Sequence, residues 1–141
     1  MAVTANSIIT PQAPRAAHCA IGATGLVSRF HITGTTGLTL LAAAGTNGTQ
    51  INSILIKAEP NTNGVNTASV VYVWEYDGTT SWIVDEIQVT TTTPSTTAPS
   101  FQTRVYYSGW IIPINHSIYV SNSINTATTA LLMAQLLGGD L

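Results

Sequence analysis

Two β-rich segments separated by an Asp-Gly turn constrain the fold of this chain more than any other feature. Residues Ser69–Tyr76 are mostly β-branched or aromatic, and Trp82–Thr90 repeats that character after the turn. Such residues favour strands, and Asp77-Gly78 tolerates the backbone angles that a tight reversal needs. The pattern predicts a β-hairpin, and we expect at least one of Trp74 and Trp82 to be buried.

The rest of the chain repeats this alternation of short strand patterns and turns. Ala127–Leu137 has the composition of a helix and the length of a strand, and the threonines around its start favour a strand. Thr90–Ser100 offers little apolar surface, so we expect it to be mobile unless a neighbour holds it. About seven or eight short strands in one chain predict an all-β fold, a β-sandwich or jelly-roll-like single domain over residues 15–141. Further strands are predicted at Leu26–Thr33, Leu38–Ala43, Gln50–Ala58, Phe101–Ile112 and Asn115–Val120.

The first fourteen residues have no clear period and are predicted to form an extended N-terminal arm, residues 1–14. Pro11 and Pro14 keep the chain extended, because each proline biases its predecessor towards β geometry. Ile8 and Ile9 are suited to adding a strand to the sheet edge of a partner. These four residues are therefore the candidate interface residues, and a frayed terminus is the alternative interpretation.

Charge is unusually sparse in this sequence. Only 7% of the residues are charged, with four Lys or Arg against six Asp or Glu, where about 25% is ordinary. Binding to nucleic acid or to an anionic membrane needs clustered basic residues, so neither partner is expected. A nearly neutral surface is poorly protected against association, which favours a protein that buries surface against copies of itself or other proteins.

The sequence contains no recognisable catalytic or metal-binding motif. Cys19 has no second cysteine to pair with, and the His18–Cys19 pair lacks the further ligands that a zinc site needs. Asp85 and Glu86 are neighbours on a predicted strand and should point to opposite faces. We therefore predict that the chain is not an enzyme and has no catalytic residue, cofactor or metal. The aromatic residues could stack on sugars, although packing is their more common role: Trp74, Trp82, Trp110, Tyr72, Tyr76, Tyr106 and Tyr107.

Three segments resemble small virion proteins from the structural gene clusters of tailed bacteriophages: Met1–Gln12, Val73–Ile87 and Gly138–Leu141. The resemblance implies a jelly-roll-like fold, no catalytic residues, and symmetric oligomers, with a trimer favoured. It implies a head decoration (cement) protein that binds the major capsid protein at the surface of the phage head. Departures at the Thr/Pro loop and at Leu131–Met133 leave a tail or baseplate position open as the alternative.

A glycan-binding jelly roll is the rival class of function. No signal-peptide pattern opens the sequence, so we expect synthesis in the cytoplasm of the bacterial host.

Overall fold

The structure is a computed structural model that describes Pro11 and residues 13–59, 65–126 and 131–141. The predicted segment Ala127–Leu137 is a strand from Leu132 onward, and its residues 127–130 lie outside the described part. In chain order the strands of the described residues are β1 Ala13–Ala20, β2 Ile32–Thr33, β3 Thr39–Ala43, β4 Thr49–Ala58, β5 Ser69–Tyr76, β6 Thr80–Val89, β7 Gln102–Ile112, β8 Ser117–Asn122 and β9 Leu132–Asp140.

The strands form two antiparallel sheets. Sheet A has the order β1-β9-β4-β7, and sheet B has the order β2-β6-β5-β8-β3. When the two-residue β2 is left aside, each sheet has four strands, and the chain changes sheet at every connection except the β5–β6 hairpin. This is the connectivity of a jelly roll. The predicted all-β, jelly-roll-like sandwich is therefore confirmed.

The hairpin forms where the sequence predicts it. Gly78 has a φ of 97°, a conformation that glycine adopts without steric cost. The Asp77 carboxylate accepts hydrogen bonds from the backbone N–H groups of Thr79 and Thr80 at 2.9 and 2.8 Å. These bonds, together with the one that the Trp82 indole donates to the same carboxylate, stabilise the turn. The exposed tip is also uncrowded, since no atom lies within 4 Å of the place of a Cβ at Gly78. Trp74 is fully buried while Trp82 is half exposed, so the expectation that one of the two is buried is confirmed.

The core lies between the sheets and is almost entirely aliphatic. Sheet A contributes Ile51, Ile54 and Ile56 from β4, and sheet B contributes Val71 and Val73 from β5, all with no exposed surface. Alternate residues of a strand point to opposite faces, and burial of each such side chain contributes about 1.5–3 kcal/mol. The two sheets are therefore held face to face by apolar burial.

A long connection, residues 22–38, crosses the outer face of sheet B, where Arg29 Nε donates to Tyr72 Oη at 3.3 Å. We call this connection the strap. The predicted strand Leu26–Thr33 is wrong, because only its last two residues pair with β6. The rest crosses the sheet, with Leu26 N donating to Asn122 O at 2.7 Å and Gly34 N donating to Thr79 O at 2.8 Å. Beneath it lie Tyr72 and Trp74, which face away from the core cluster and are nevertheless buried.

The start of the loop Thr90–Ser100 is hydrogen-bonded to Asn66 of the same chain, and the expectation that the loop is mobile unless a neighbour holds it stays a prediction. Asn66 is 2% exposed. Its Nδ2 donates to Thr90 O at 2.8 Å, and its Oδ1 accepts from both N and Oγ1 of Thr92. Thr92 Oγ1 also accepts from Phe101 N at 2.9 Å. Asn66 and Thr92 thus have their polar groups satisfied by hydrogen bonds within the chain.

Candidate interaction surfaces

The outer face of sheet A is a regular surface formed by four paired strands. Rows such as Ala17–Leu136–Ile54–Val105 point into the core, so the alternate rows point away from sheet B. We call those alternate rows the open face. They are Pro14–Gly139–Gln50–Ile111, Ala16–Leu137–Ser53–Tyr106, His18–Gln135–Leu55–Arg104 and Ala20–Met133–Lys57–Gln102.

Apolar and uncharged polar side chains make up most of the open face. Tyr106 is 78% exposed, and Leu137 and Ile111 are 36% and 39% exposed. The rows hold no carboxylate and only two strong cations, Arg104 and Lys57. Arg104 donates to Ser53 Oγ at 2.9 Å and to Gln135 Oε1 at 3.3 Å, so its guanidinium is tied to the sheet. Such a surface loses little solvation when it is covered.

Both edges of sheet A carry features that oppose strand addition. The β7 edge is interrupted by a bulge between Tyr106 and Trp110, where Gly109 adopts a φ of 73°. The β1 edge carries Pro14, which has no backbone N–H to donate. Bulges and prolines are common protections of edge strands. The face of this sheet is therefore better suited to a partner than its edges.

Most charged side chains of the described residues are engaged within the chain. At one end of the sandwich, one guanidinium nitrogen of Arg15 contacts both carboxylate oxygens of Asp140 at 2.9 and 3.0 Å, and Thr49 Oγ1 donates to the same group. Burial alone would raise the pKa of Asp140, but the threonine hydroxyl and the guanidinium hold it below its usual range. This network ties β1, β4 and β9 together.

A histidine–carboxylate pair lies at the same end of the sandwich, beside the hairpin tip. His116 Nδ1 is 2.7 Å from Glu75 Oε1. Asn115, with a φ of 67°, precedes the histidine in a shallow depression that Ala44 and Ile114 also line. The described residues hold no group of three His, Cys, Asp or Glu side chains arranged for a metal ion. The pair accordingly serves as a local contact between β5 and the turn before β8.

The predicted opposite orientation of Asp85 and Glu86 is confirmed. Asp85 lies opposite Val73, whose side chain is in the core, and Glu86 lies opposite Tyr72 on the strap side. Asp85 Oδ2 accepts a hydrogen bond from Tyr107 Oη at 2.6 Å. Burial, followed by the bond to this carboxylate, raises the pKa of Tyr107 far above its usual value. The two carboxylates do not form one acid–base site.

The aromatic side chains form one exposed stack. His31 lies on Trp82 with ring centroids 4.7 Å apart and planes 28° apart. The Trp82 indole N–H donates to Asp77 at 3.1 Å. Hydrogen bonds from Thr80 N, the indole and Thr79 N lower the pKa of Asp77. By contrast, Tyr107 and Trp110 meet edge to face at 61°, so they offer no flat platform for a sugar ring.

The four predicted interface residues fall in different parts of the structure. Ile8 and Ile9 lie outside the described residues, so their role stays a prediction. Pro14 is part of β1 and lies opposite Gly139. Pro11 lies so close to Gly139 that a Cβ there would be 2.3 Å from Pro11 Cβ. The described chain therefore enters β1 from beside the first row of the open face.

Comparison with protein-family models, with curated proteins and with solved structures gives no match. None of the described residues forms a helix of the length and apolar character that crossing a bilayer requires.

Proposed function

We propose that this chain is a structural protein of a virion, a decoration (cement) protein that stabilises a phage head through contacts with the major capsid protein and with other copies of itself. The observation that carries the proposal is a jelly roll with a broad face that holds only two strong cations, in a chain whose charged groups are mostly engaged with one another or with hydroxyl groups. The jelly roll is a fold of viral capsid domains among others, and that link is an analogy of fold.

Capsid symmetry repeats each contact of such a protein many times. A standard protein interface buries about 800 Å² on each partner, and the free energy gained by burying its apolar part must exceed the free-energy cost of association. A small rigid domain placed over the joints between capsid subunits adds such an interface at every symmetry-related position. A modest free energy per contact is thereby multiplied over the whole shell.

Co-sedimentation with capsids that lack this chain tests the proposal. We expect saturable binding that survives a change from about 50 to 500 mM salt with little loss, because few charges are available for screening. A reconstruction of the decorated particle should place the chain on the head. Absence of binding, or location on the tail, would contradict the decoration role, and the second result would support the tail or baseplate alternative.

Deletion of residues 2–12 tests the part assigned to the predicted arm. We expect the deleted chain to keep its melting temperature, since β1 starts at Ala13, and to bind capsids more weakly than the full chain. Unchanged binding would remove the arm from the interface. A loss of folding would show instead that these residues belong to the sandwich.

Carbohydrate binding is supported by one observation, the exposed His31–Trp82 stack beside the Asp77 carboxylate. Aromatic faces next to acidic acceptors are common platforms for sugars. Soluble oligosaccharides added to the protein should then perturb the NMR signals of the indole. Tyr106→Ala, on the opposite sheet, is the matched variant and should show the same shifts of Trp82 and of its stacking partner His31 as the wild type, whereas the His31 shifts should be lost in Trp82→Ala.

A further inference from the structure

The two outer faces of the sandwich differ in a way that demands an explanation. Sheet B has its outer aromatic residues covered by the strap, so that Tyr72 and Trp74 are 1% and 0% exposed. On the open face of sheet A, Tyr106 and Leu137 remain accessible. No described segment lies across these central rows. Large apolar side chains left on a regular face are typical of a surface that another molecule covers.

The dimensions of the open face suit a stable contact. Four strands at about 4.8 Å spacing and about eight residues of about 3.4 Å each give a projected area near 500 Å². Protruding side chains such as Tyr106 enlarge the accessible area towards the roughly 800 Å² per partner of a standard interface. Sheet-on-sheet packing, in which two sheets lie about 10 Å apart, is an established way for two four-stranded faces to meet.

We propose that the open face binds the open face of a second copy of this chain, as a two-fold dimer of four stacked sheets. This inference rests on the proposed structural role and identifies one of the partners that the role requires. When one surface meets itself, the contact is isologous and the symmetry is two-fold. The dimer therefore replaces the trimer that the resemblance favoured, because a trimer needs two different surfaces to meet.

The distribution of charge selects the orientation of the dimer. Arg104 and Lys57 both lie on the β4–β7 half of the open face, whereas the β1–β9 half carries neither a carboxylate nor a Lys or Arg in its rows. A two-fold axis parallel to the strands places the cationic half of one copy over the uncharged half of the other. The cations are then kept apart, and like-charge repulsion is avoided.

Edge-to-edge pairing is the competing arrangement for a second copy. It would use β7 or β1, and both edges carry the bulge and the proline described above. Substitutions on the open face and substitutions at the strand edges should therefore have different effects on the dissociation constant of the dimer. Pro14→Ala adds a backbone N–H to the β1 edge and leaves the central rows of the open face unchanged, so stronger association of this variant would indicate edge pairing and contradict the face-to-face dimer.

The experiment is sedimentation equilibrium on the full chain over a concentration range up to about 1 mM, together with single variants. Tyr106→Lys and Leu137→Lys place a charge in the central row of the open face. The two-fold axis brings the substituted residue of both copies into the same interface. We therefore expect each substitution to raise the dissociation constant of the dimer at least about 30-fold. Val27→Lys, at a 79% exposed apolar position on the strap, is the matched control and should leave the dissociation constant unchanged.

The outcomes separate this inference from the proposed function. A wild-type monomer at about 1 mM, a trimer, or equal effects of Val27→Lys and Tyr106→Lys would overturn the dimer, whatever the capsids bind. If Leu137→Lys is poorly folded by circular dichroism, Tyr106→Lys on the edge strand decides alone. Dimerisation without any binding to undecorated capsids would support the dimer and contradict the decoration role.

Discussion

Replacing Trp74 should be one of the most damaging single substitutions in the sandwich. The indole has no exposed surface, meets Tyr72 edge to face at 6.2 Å, and donates from Nε1 to Ser121 Oγ at 2.9 Å. Removing a buried aromatic side chain costs about 3–5 kcal/mol. Ser121 is itself 2% exposed, and the loss of its partner adds about 1 kcal/mol or more. We therefore expect Trp74→Ala to lower the free energy of unfolding by about 4–6 kcal/mol.

Trp82→Ala is the matched control in the same hairpin. Trp82 is 48% exposed and its partners, His31 and Asp77, lie at the surface, so we expect a loss of only about 1 kcal/mol. Urea titrations followed by far-ultraviolet circular dichroism would measure both losses without depending on indole fluorescence. The melting temperature of Trp74→Ala should lie roughly 10 °C below that of Trp82→Ala for a domain of this size. Equal losses, or a loss below about 1.5 kcal/mol for Trp74→Ala, would refute the burial of Trp74 beneath the strap.

Three further substitutions or measurements test local features of the sandwich. Asp140→Asn should cost about 1 kcal/mol at neutral pH. Because contacts with Arg15 and a threonine hydroxyl lower the pKa of Asp140 despite its burial, the contribution is present above the unfolded carboxyl pKa and fades below about pH 4. Gly138→Ala should lower the free energy of unfolding by at least about 2–3 kcal/mol, since its Cβ would lie 2.1 Å from a backbone oxygen of β4. At Gly78 a Cβ meets no atom within 4 Å, so Gly78→Ala should cost only about 1–2 kcal/mol of that free energy, because of the positive φ. Burial raises the pKa of the Cys19 thiol to about 11, so native alkylation near pH 8 should run at least about 100-fold slower than in urea.

Each of these has an outcome that contradicts it. The free energies of unfolding of wild type and Asp140→Asn should become equal in acid. If they stay different below about pH 4, the carboxylate network does not account for the effect of the substitution on stability. Equal costs at the two glycines would mean that β9 can move away from β4 without penalty. Rapid native alkylation would place Cys19 at the surface.

Local signals made the hairpin and most strands predictable. A turn such as Asp77-Gly78 and the β-branched residues around it act within a few positions of one another, so the sequence alone reports them. The strap could not be predicted in this way. Its path depends on contacts such as Gly25 N with Asn125 Oδ1, which are separated by a hundred residues, and its glycine-rich sequence satisfied the strand pattern only weakly.

The open face was missed for a related reason. Alternation shows which residues of one strand share a face, but the neighbours of Leu137 in the sheet depend on register. A bulge between Ile51 and Ser53 shifts that register by one residue, and such a shift exchanges the two faces of a strand. The candidate residues named from sequence therefore lay in the N-terminal segment, and only Pro14 belongs to the open face.

The position of β9 also decides the order in which the molecule can be completed during synthesis. The strand nearest the end of the described chain lies inside sheet A, between β1 and β4, while sheet B is finished once Asn122 has emerged. On the ribosome β1 therefore has no strand partner of its own until β9 follows more than a hundred residues later. Sheet B and the β4–β7 pair can form first, with apolar surface of sheet A uncovered, and long-range pairings of this kind slow folding. The pairing of β9 with β1 and β4 thus completes sheet A, and we expect nascent chains halted before Leu132 to remain sensitive to protease.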